Sequence, residues 1–389
     1  MKKPSNWKFE PLSALLSRKV TYGIVQPGEH VPGGSPLIRS QDYSTSWSSA
    51  DDIMRVSPEV ERPYLRSRVS AGDLLITVVG ANIGKIATVP EWLDGANISR
   101  SVARISVNKA AAYPNYIRGY LQGGIRRLLH INSNGGAQPV LNLDDLRGFE
   151  VPLPPLPEQR RIAEILDTWD AALGKLDALI AAKERSYSAT LESLIKKHGR
   201  SECRVRDVAN EAGPRNRGQS VTRVLSVTNT RGFVLPEEYF NKQVASADTT
   251  TYKIVRSGEY AYNPSRINVG SIARLDLLDV AIVSPIYVVF SLNEKVEADY
   301  FHHWLNSNEA RSRIRRSAQG SVRDSVNFDD FSSIRLPLPT AAQQKTIALL
   351  LSAAQKELSL LRQQRESLDR QKRGLMQKLL TGKIRVWRS

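Results

Sequence analysis

Two stretches of the chain carry the same apolar seam 185 residues apart, and that duplication restricts the fold more than any other feature. In the first, Ile162, Leu166, Trp169, Leu173, Leu176 and Ile180, then Tyr187 and Leu194, recur in steps of four and three or their sum. In the second, Ile347, Leu351, Ala354, Leu358, Leu361, Leu368, Leu375 and Leu379 keep the same phase. An apolar position every 3.5 residues or so makes a stripe that faces a partner helix along its whole length. The two seams coincide position for position through Leu361. Trp169 then stands where the repeat has Ala354, a large-to-small exchange suited to a shared seam. Lys183, Arg365 and Lys372 interrupt the stripe, which limits register. Pairing of the two helices with each other, antiparallel, converts the duplication into a pseudo-two-fold relation.

The segments before each helix repeat as well. Val255-Arg-Ser-Gly258-Glu259 matches Val69-Ser-Ala-Gly72-Asp73, and Asn268-Val-Gly270-Ser-Ile272-Ala273 matches Asn82-Ile-Gly84-Lys-Ile86-Ala87. Asn327-Phe-Asp-Asp-Phe331 likewise matches Asn142-Leu-Asp-Asp-Leu146. Between these anchors, 35–58 and 213–247 share nothing that aligns. Alternating apolar runs predict strands near Val20–Ile24, Leu37–Ser40, 69–89 and Ile98–Val107; Ile117, Tyr120, Leu121, Ile125 and Leu128 predict a helix over Pro114–Leu129. The expected architecture is α+β: two similar globular α/β domains at 1–155 and 199–338, separated by long antiparallel coiled-coil helices at 156–198 and 339–382, with a tail at 383–389. Thr340 and Gln343 fit a capping box at the second helix start.

Composition matters chiefly through charge. Lys and Arg total 55 against 39 acidic residues, a net charge of +16, which favours a polyanionic partner, nucleic acid first among them. No run approaches the ~18 apolar residues of a membrane span, and the first residues lack the apolar stretch of a secretory signal. A single cysteine, Cys203, excludes an internal disulfide and a thiolate metal cluster. The expectation is a cytoplasmic protein.

Catalytic and metal signatures are absent. Gly80-Ala-Asn-Ile-Gly84-Lys85 is one residue short of a phosphate loop, and Ile86 stands where a magnesium-binding hydroxyl belongs. Its glycines read as turns between strands. Asn263-Pro264-Ser265-Arg266 lacks the second proline and the aromatic of the adenine-methyltransferase loop. The histidines are scattered, and adjacent His302 and His303 face different sides of a helix; they read as packing or surface residues.

Binding chemistry is present instead. Arg311, Arg313, Arg315, Arg316 and Arg323 fall within thirteen residues that contain no acid before Asp324. The repeat places Arg126, Arg127, His130 and Gln138 around Gly135-Gly136. Guanidinium forks suit phosphate oxygens and the guanine edge, and Gln suits the adenine edge. In the unlike loops, Arg39, Gln41, Arg62, Arg66, Arg215, Arg217 and Arg231 are candidates for base readout, with shared arginines on the backbone.

The order of variable domain, PLPPLPEQRRIAEIL helix, variable domain, and PLPTAAQQKTIALLL helix closing on LLTGKIRV closely resembles the specificity subunit of type I restriction–modification enzymes. The likeness covers the whole chain. It implies a non-catalytic subunit whose two target recognition domains each read half of a split double-stranded DNA site. It implies that the helices set the spacing and dock two methyltransferase subunits, which restriction subunits join. S-adenosylmethionine, ATP and Mg²⁺ then belong to the partners, with none bound by this chain. Two departures stand out: PTAAQQK replaces the usual PPLPEQR at the second helix start, and the first helix ends in LIKKHGRSE without a TGK-like close. The rival class is a coiled-coil scaffold for RNA or an acidic protein.

Overall fold

A computed structural model describes residues 7–44, 46–131, 140–198, 201–236, 248–319 and 325–386. The chain divides into two compact units, Met1–Leu176 with Gln364–Ser389, and Asp177–Gln363. Each unit joins a globular part to one stretch of each long helix.

In the first unit the strands are β1 (Lys8–Pro11), β2 (Leu16–Tyr22), β3 (Ser35–Ile38), β4 (Met54–Val56), β5 (Leu74–Thr77), β6 (Ile86–Thr88), β7 (Asn97–Ile98), β8 (Val102–Val107) and β9 (Glu150–Leu153). They form an antiparallel sheet in the order β2-β8-β5-β6, a β1–β9 ribbon, and a three-stranded sheet β4-β3-β7 whose β3–β7 pair is parallel. The second unit holds β10 (Glu202–Arg204), β11 (Ala209–Ala212), β12 (Ser226–Thr228), β13 (Gly232–Val234), β14 (Lys253–Arg256), β15 (Tyr260–Tyr262), β16 (Ile272–Arg274), β17 (Val280–Val283), β18 (Val288–Leu292) and β19 (Arg335–Pro337). Its sheet β11-β18-β15-β16 and ribbon β10–β19 repeat the first unit's frame. The expected duplication is therefore present in the strand order of each unit taken separately. The segments that do not align contribute different strands: the antiparallel pair β3–β4 in one unit, the β12–β13 hairpin in the other.

The shared anchors are turns with a mechanical reason. Gly72 and Gly258 both have positive φ (84° and 81°), as do Gly84 and Gly270 (81° and 93°), a region open to glycine and costly for other residues. The acid after the first glycine closes that turn: Asp73 Oδ2 accepts from the Ser70 N–H (2.8 Å), and Glu259 Oε2 from the Arg256 N–H (2.7 Å). The glycine stretch 80–84 is thus a turn between β5 and β6, as the sequence predicts, and Asn263 caps a turn of its own by accepting from the Ser265 N–H (3.0 Å).

The cores fill the frame with different chemistry. Leu74, Ile76, Ala103 and Ile105 line the first sheet, whereas Tyr260, Tyr262 and Phe290 line the second and join Phe301, Trp304 and Phe331 in an aromatic cluster. The helix over the first sheet, Pro114–Ile131, is continuous. Its counterpart breaks into Ala298–Leu305 and Asn308–Gln319 because Asn306 ends one helix and Ser307 starts the next, its hydroxyl accepting from the Ala310 N–H (3.1 Å).

The long helices run over Leu156–His198, 43 residues, and Ala341–Leu380, 40 residues, roughly 65 and 60 Å at ~1.5 Å per residue. Their starts are locked by one repeated side chain. Buried Gln159 donates to the Pro154 carbonyl (2.8 Å) and accepts from the Tyr113 N–H (2.8 Å). Gln344 does the same with Pro339 (2.9 Å) and Glu297 (2.7 Å). Tyr116 and Tyr300 hydroxyls donate to the carbonyls of Pro152 (2.6 Å) and Pro337 (2.9 Å). The capping box forms too, Thr340 Oγ1 with the Gln343 N–H (3.4 Å) and Gln343 Oε1 with the Thr340 N–H (3.1 Å). Replacing Gln344 by Leu orphans a buried N–H and a carbonyl, and about 1–3 kcal/mol of stability should go with them. Chemical denaturation reads that loss; an unshifted midpoint would mean the amide is dispensable.

Candidate nucleic-acid interface

The seam residues divide their work. Ile162 and Leu166 are buried in the core of the first unit beside Leu379 and Leu380, and Ile347 and Leu351 in that of the second beside Leu191 and Ile195. Leu173, Leu176 and Leu358 are also buried, while Trp169, Ile180, Ala354, Leu361 and Leu368 are half-buried. The expectation of one helix–helix seam thus holds only for part of the stripe; its ends anchor globular domains. Within each unit the helix segments run antiparallel. Asp170 pairs with Lys372 in the first, and Lys183 with Glu357 (2.8 Å) and Glu184 with Arg362 (2.6 Å) in the second. Two of the seam-breaking lysines are therefore ionic links between the helices.

The helix Asn308–Gln319 sorts its arginines by face. Arg311 and Arg315, four apart, line a cleft of about 1300 Å³ in the second unit together with Arg223 and Arg231. Among the described residues neither Arg311 nor Arg315 has a carboxylate partner. Asp276 also lines the cleft but is taken by Arg274, whose Nε lies 2.6 Å from Oδ1. Arg316 is exposed. Arg313 points elsewhere: it pairs with Glu202 (2.7 Å) and Glu309 and donates to the Arg335 carbonyl (2.7 Å). The structure gives Arg313 the job of fastening the helix to the β10–β19 ribbon, not that of a free cation. Of the arginines that the sequence offers as DNA-binding candidates on this helix, Arg313 is thus committed to an ion pair within the unit.

Arg231 stands at the tip of the β12–β13 hairpin, where Asn229 and Thr230 join it in lining the cleft. Thr228 shapes that tip by accepting from the Arg231 N–H (3.0 Å), and Gly232 takes a positive φ of 61°. Arg215 and Arg217 are exposed on the loop after β11; Arg215 donates to the Thr251 carbonyl, and buried Asn216 ties the loop back to Val221 (2.8 Å). Sequence reasoning missed Arg223, Asn229 and Thr230; the signal available was the Asn-Thr-Arg-Gly run between two short strands, a hairpin turn by composition.

In the first unit Arg39 is engaged, its guanidinium 3.0 Å from the buried carboxylate of Asp42, while Gln41 is exposed on the adjoining turn. Arg126 and Arg127 lie on the helix Pro114–Ile131; their side chains, and Gln138 and Arg323 altogether, fall outside the described residues. No group of His, Cys, Asp and Glu among the described residues could hold a metal, and no described helix is long and apolar enough to cross a membrane.

Two copies of one frame, each joined to a stretch of both long helices and each bearing its own loops, define a duplicated α+β protein. The chain belongs to the type I restriction modification DNA specificity domain family, whose model matches residues 65–181 and 237–370. It is 30% identical to the EcoBI type I restriction enzyme specificity subunit of Escherichia coli over 202 residues, 51% of this chain and 42% of that subunit, so it spans less than half of that relative in the match. The MjaVIII type I restriction enzyme specificity subunit of Methanocaldococcus jannaschii is 22% identical over 355 residues, 82% of this chain and 80% of that one. Among solved structures, the S subunit of a type I restriction–modification system from M. genitalium aligns with a TM-score of 0.58 at 14% identity, covering 97% of this chain and 98% of that one. A chain from a structural study of complex assembly in the type I system aligns at 0.59 and 16%, covering 99% and 100%. At such identity these two bear on the fold alone.

Proposed function

We propose that this chain is a non-catalytic, cytoplasmic DNA-recognition subunit of a type I restriction–modification complex. Each globular domain reads one half of a bipartite double-stranded site, and methyltransferase subunits dock on the chain, with restriction subunits joining through them. Adenine methylation with S-adenosylmethionine, and ATP- and Mg²⁺-dependent cleavage, belong to those partners. The observation that carries the reading is the coincidence of a frame repeated turn for turn with loops that differ completely, one of which sets Arg231 on the same cleft as Arg311 and Arg315 of the helix Asn308–Gln319. A conserved frame positions, and unlike loops read different sequences.

The test is selection from a randomised duplex pool by the full chain with its methyltransferase, followed by sequencing. A split motif is expected. Replacing Arg311 and Arg315 with Ala should weaken binding and flatten the salt dependence by about 0.9 per lost phosphate contact, with Arg313→Ala as the contrast that changes stability instead. No enriched motif from the unaltered chain would sink the proposal and leave sequence-independent scaffolding.

A further inference from the structure

An exposed segment of the first unit is held from beneath by an unusual amount of buried polar structure. The segment is Arg62–Ser67, a 3-10 turn that leaves Arg62, Leu65 and Arg66 exposed, Leu65 at 52%. Its carbonyls turn inward. The Tyr64 carbonyl accepts from Asn97 Nδ2 (3.0 Å) and lies 2.7 Å from Ser67 Oγ. The Arg66 and Arg68 carbonyls both accept from Arg104 Nη1, at 2.6 and 2.8 Å. Arg68 closes the far end with a two-pronged pair to Glu61, at 2.8 Å each, and Ser35 donates to the same carboxylate (2.6 Å). Hydrogen bonds from Arg68 draw the Glu61 carboxyl down to about 2 against the opposing effect of burial.

This scaffolding is costly. Arg104 is 3% exposed, and among the described residues no carboxylate pairs with it. Its guanidinium is met by carbonyls, the third being that of Lys19 (3.2 Å), and its Nε has no partner. A buried cation held by carbonyls, with Asp73 in electrostatic reach but not paired to it, is a poor way to gain stability, and an apolar residue under an ordinary loop would serve the fold better. The arrangement makes sense as positioning: Arg104 clamps the Arg66 and Arg68 carbonyls and Asn97 the Tyr64 carbonyl, so the turn that ends there presents its exposed side chains from a rigid backbone. What is presented is Arg-Pro-Tyr-Leu-Arg. The Arg66 guanidinium has no partner among the described residues. Arg62 has an exposed acid, Glu59, within electrostatic reach. An arginine fork reads guanine or grips phosphate, and an apolar side chain meets the thymine methyl.

We propose that Arg62–Ser67 is the element with which the first domain reads its half-site, Arg66 and Leu65 being specificity-determining, and that Glu61, Asn97 and Arg104 are positioning residues for it. The inference rests on the DNA-recognition reading above. It also makes the two domains read DNA with non-equivalent elements, a clamped turn in one and a hairpin with a basic helix in the other.

The experiment is the same pool selection, run with the full chain and its methyltransferase on Arg62→Ala/Arg66→Ala, Leu65→Ala and Arg104→Lys. For the double variant, one half of the motif should lose its base preference while the other stays sharp, with affinity for the parent motif falling about ten- to a hundredfold. Arg104→Lys keeps the charge but loses the fork, so preference should relax in that same half with an unchanged salt slope, a readout that general destabilisation would not produce. Retention of both halves by the double variant and by Leu65→Ala overturns the inference while the recognition reading stands. Absence of any motif from the unaltered chain is the separate failure of that reading.

Discussion

Replacing Arg385 with alanine should cost the first unit about 1–3 kcal/mol, the penalty for leaving a buried acceptor unpaired, below that of a fully buried ion pair because the arginine side chain is 37% exposed. Arg385 reaches from the segment after the second long helix to the start of the first, where its Nε and Nη2 each lie 2.7 Å from an oxygen of Glu158. Glu158 is 0% exposed, so nothing else can solvate its charge. The guanidinium also lies over the Trp7 ring, 5.6 Å from its centre, and three distant pieces of chain meet at this one side chain. The second copy shows how the cost can be avoided. Position 343 there is Gln, a neutral residue satisfied by the Thr340 capping box. The double variant Glu158→Gln/Arg385→Ala should therefore recover most of what Arg385→Ala loses. Calorimetry or denaturant unfolding of the single and double variants measures both values. If the double variant proves as unstable as the single, the stabilising element is packing by the arginine stem and not charge compensation.

That pair sets the two helix starts apart. The copy that keeps Glu at the helix start has an arginine from a closing segment to neutralise it; the copy that has Gln uses a threonine cap instead. Local patterns were legible because they are local: the seams, the capping box, the glycine turns and the repeat all announce themselves within a few residues. Side-chain commitments were not legible. Arg313 looks like Arg311 in the sequence, and only the fold brings Glu202, over a hundred positions away, to claim one and leave the other. Arg39 is spent on Asp42 three residues on, and Arg104 gave no sign of being buried because an alternating strand does not declare which face carries a charge. The unlike loops fold by pairing with distant segments, Ile38 with Ile98 in one unit and the Leu225 N–H with the Ile282 carbonyl in the other, for which the repeat supplies no template.

Acid should loosen the second unit before the first, through His303. This ring is 1% exposed and bridges both long helices, Nδ1 lying 2.8 Å from the Tyr187 hydroxyl and Nε2 2.9 Å from Ser352 Oγ. The sequence reading of a packing residue understates it. Burial first, then the neighbouring His302, pushes its pKa down to about 4; Asp299 opposes the shift and Arg274 adds to it. The unfolded chain takes up the proton near the ordinary value of about 6.5, so between roughly pH 6.5 and 4 the unfolded state binds more protons and stability falls as pH falls. The full effect is on the order of 3 kcal/mol at the acid end of that window. Both ring nitrogens of the protonated form donate, and both hydroxyls can accept, so the hydrogen bonds survive; the cost is the buried charge. The repeat places Arg118 at the corresponding position of the first unit, paired with Asp167, and an arginine keeps its charge throughout this range. Amide exchange followed from pH 7 to 4 should show Ala298–Leu305 losing protection while Pro114–Ile131 changes less. His303→Gln should start lower at pH 7 and lie flatter, meeting the parent curve in acid. Parallel curves for the two proteins would assign the acid sensitivity elsewhere, with His302 as the group to replace next.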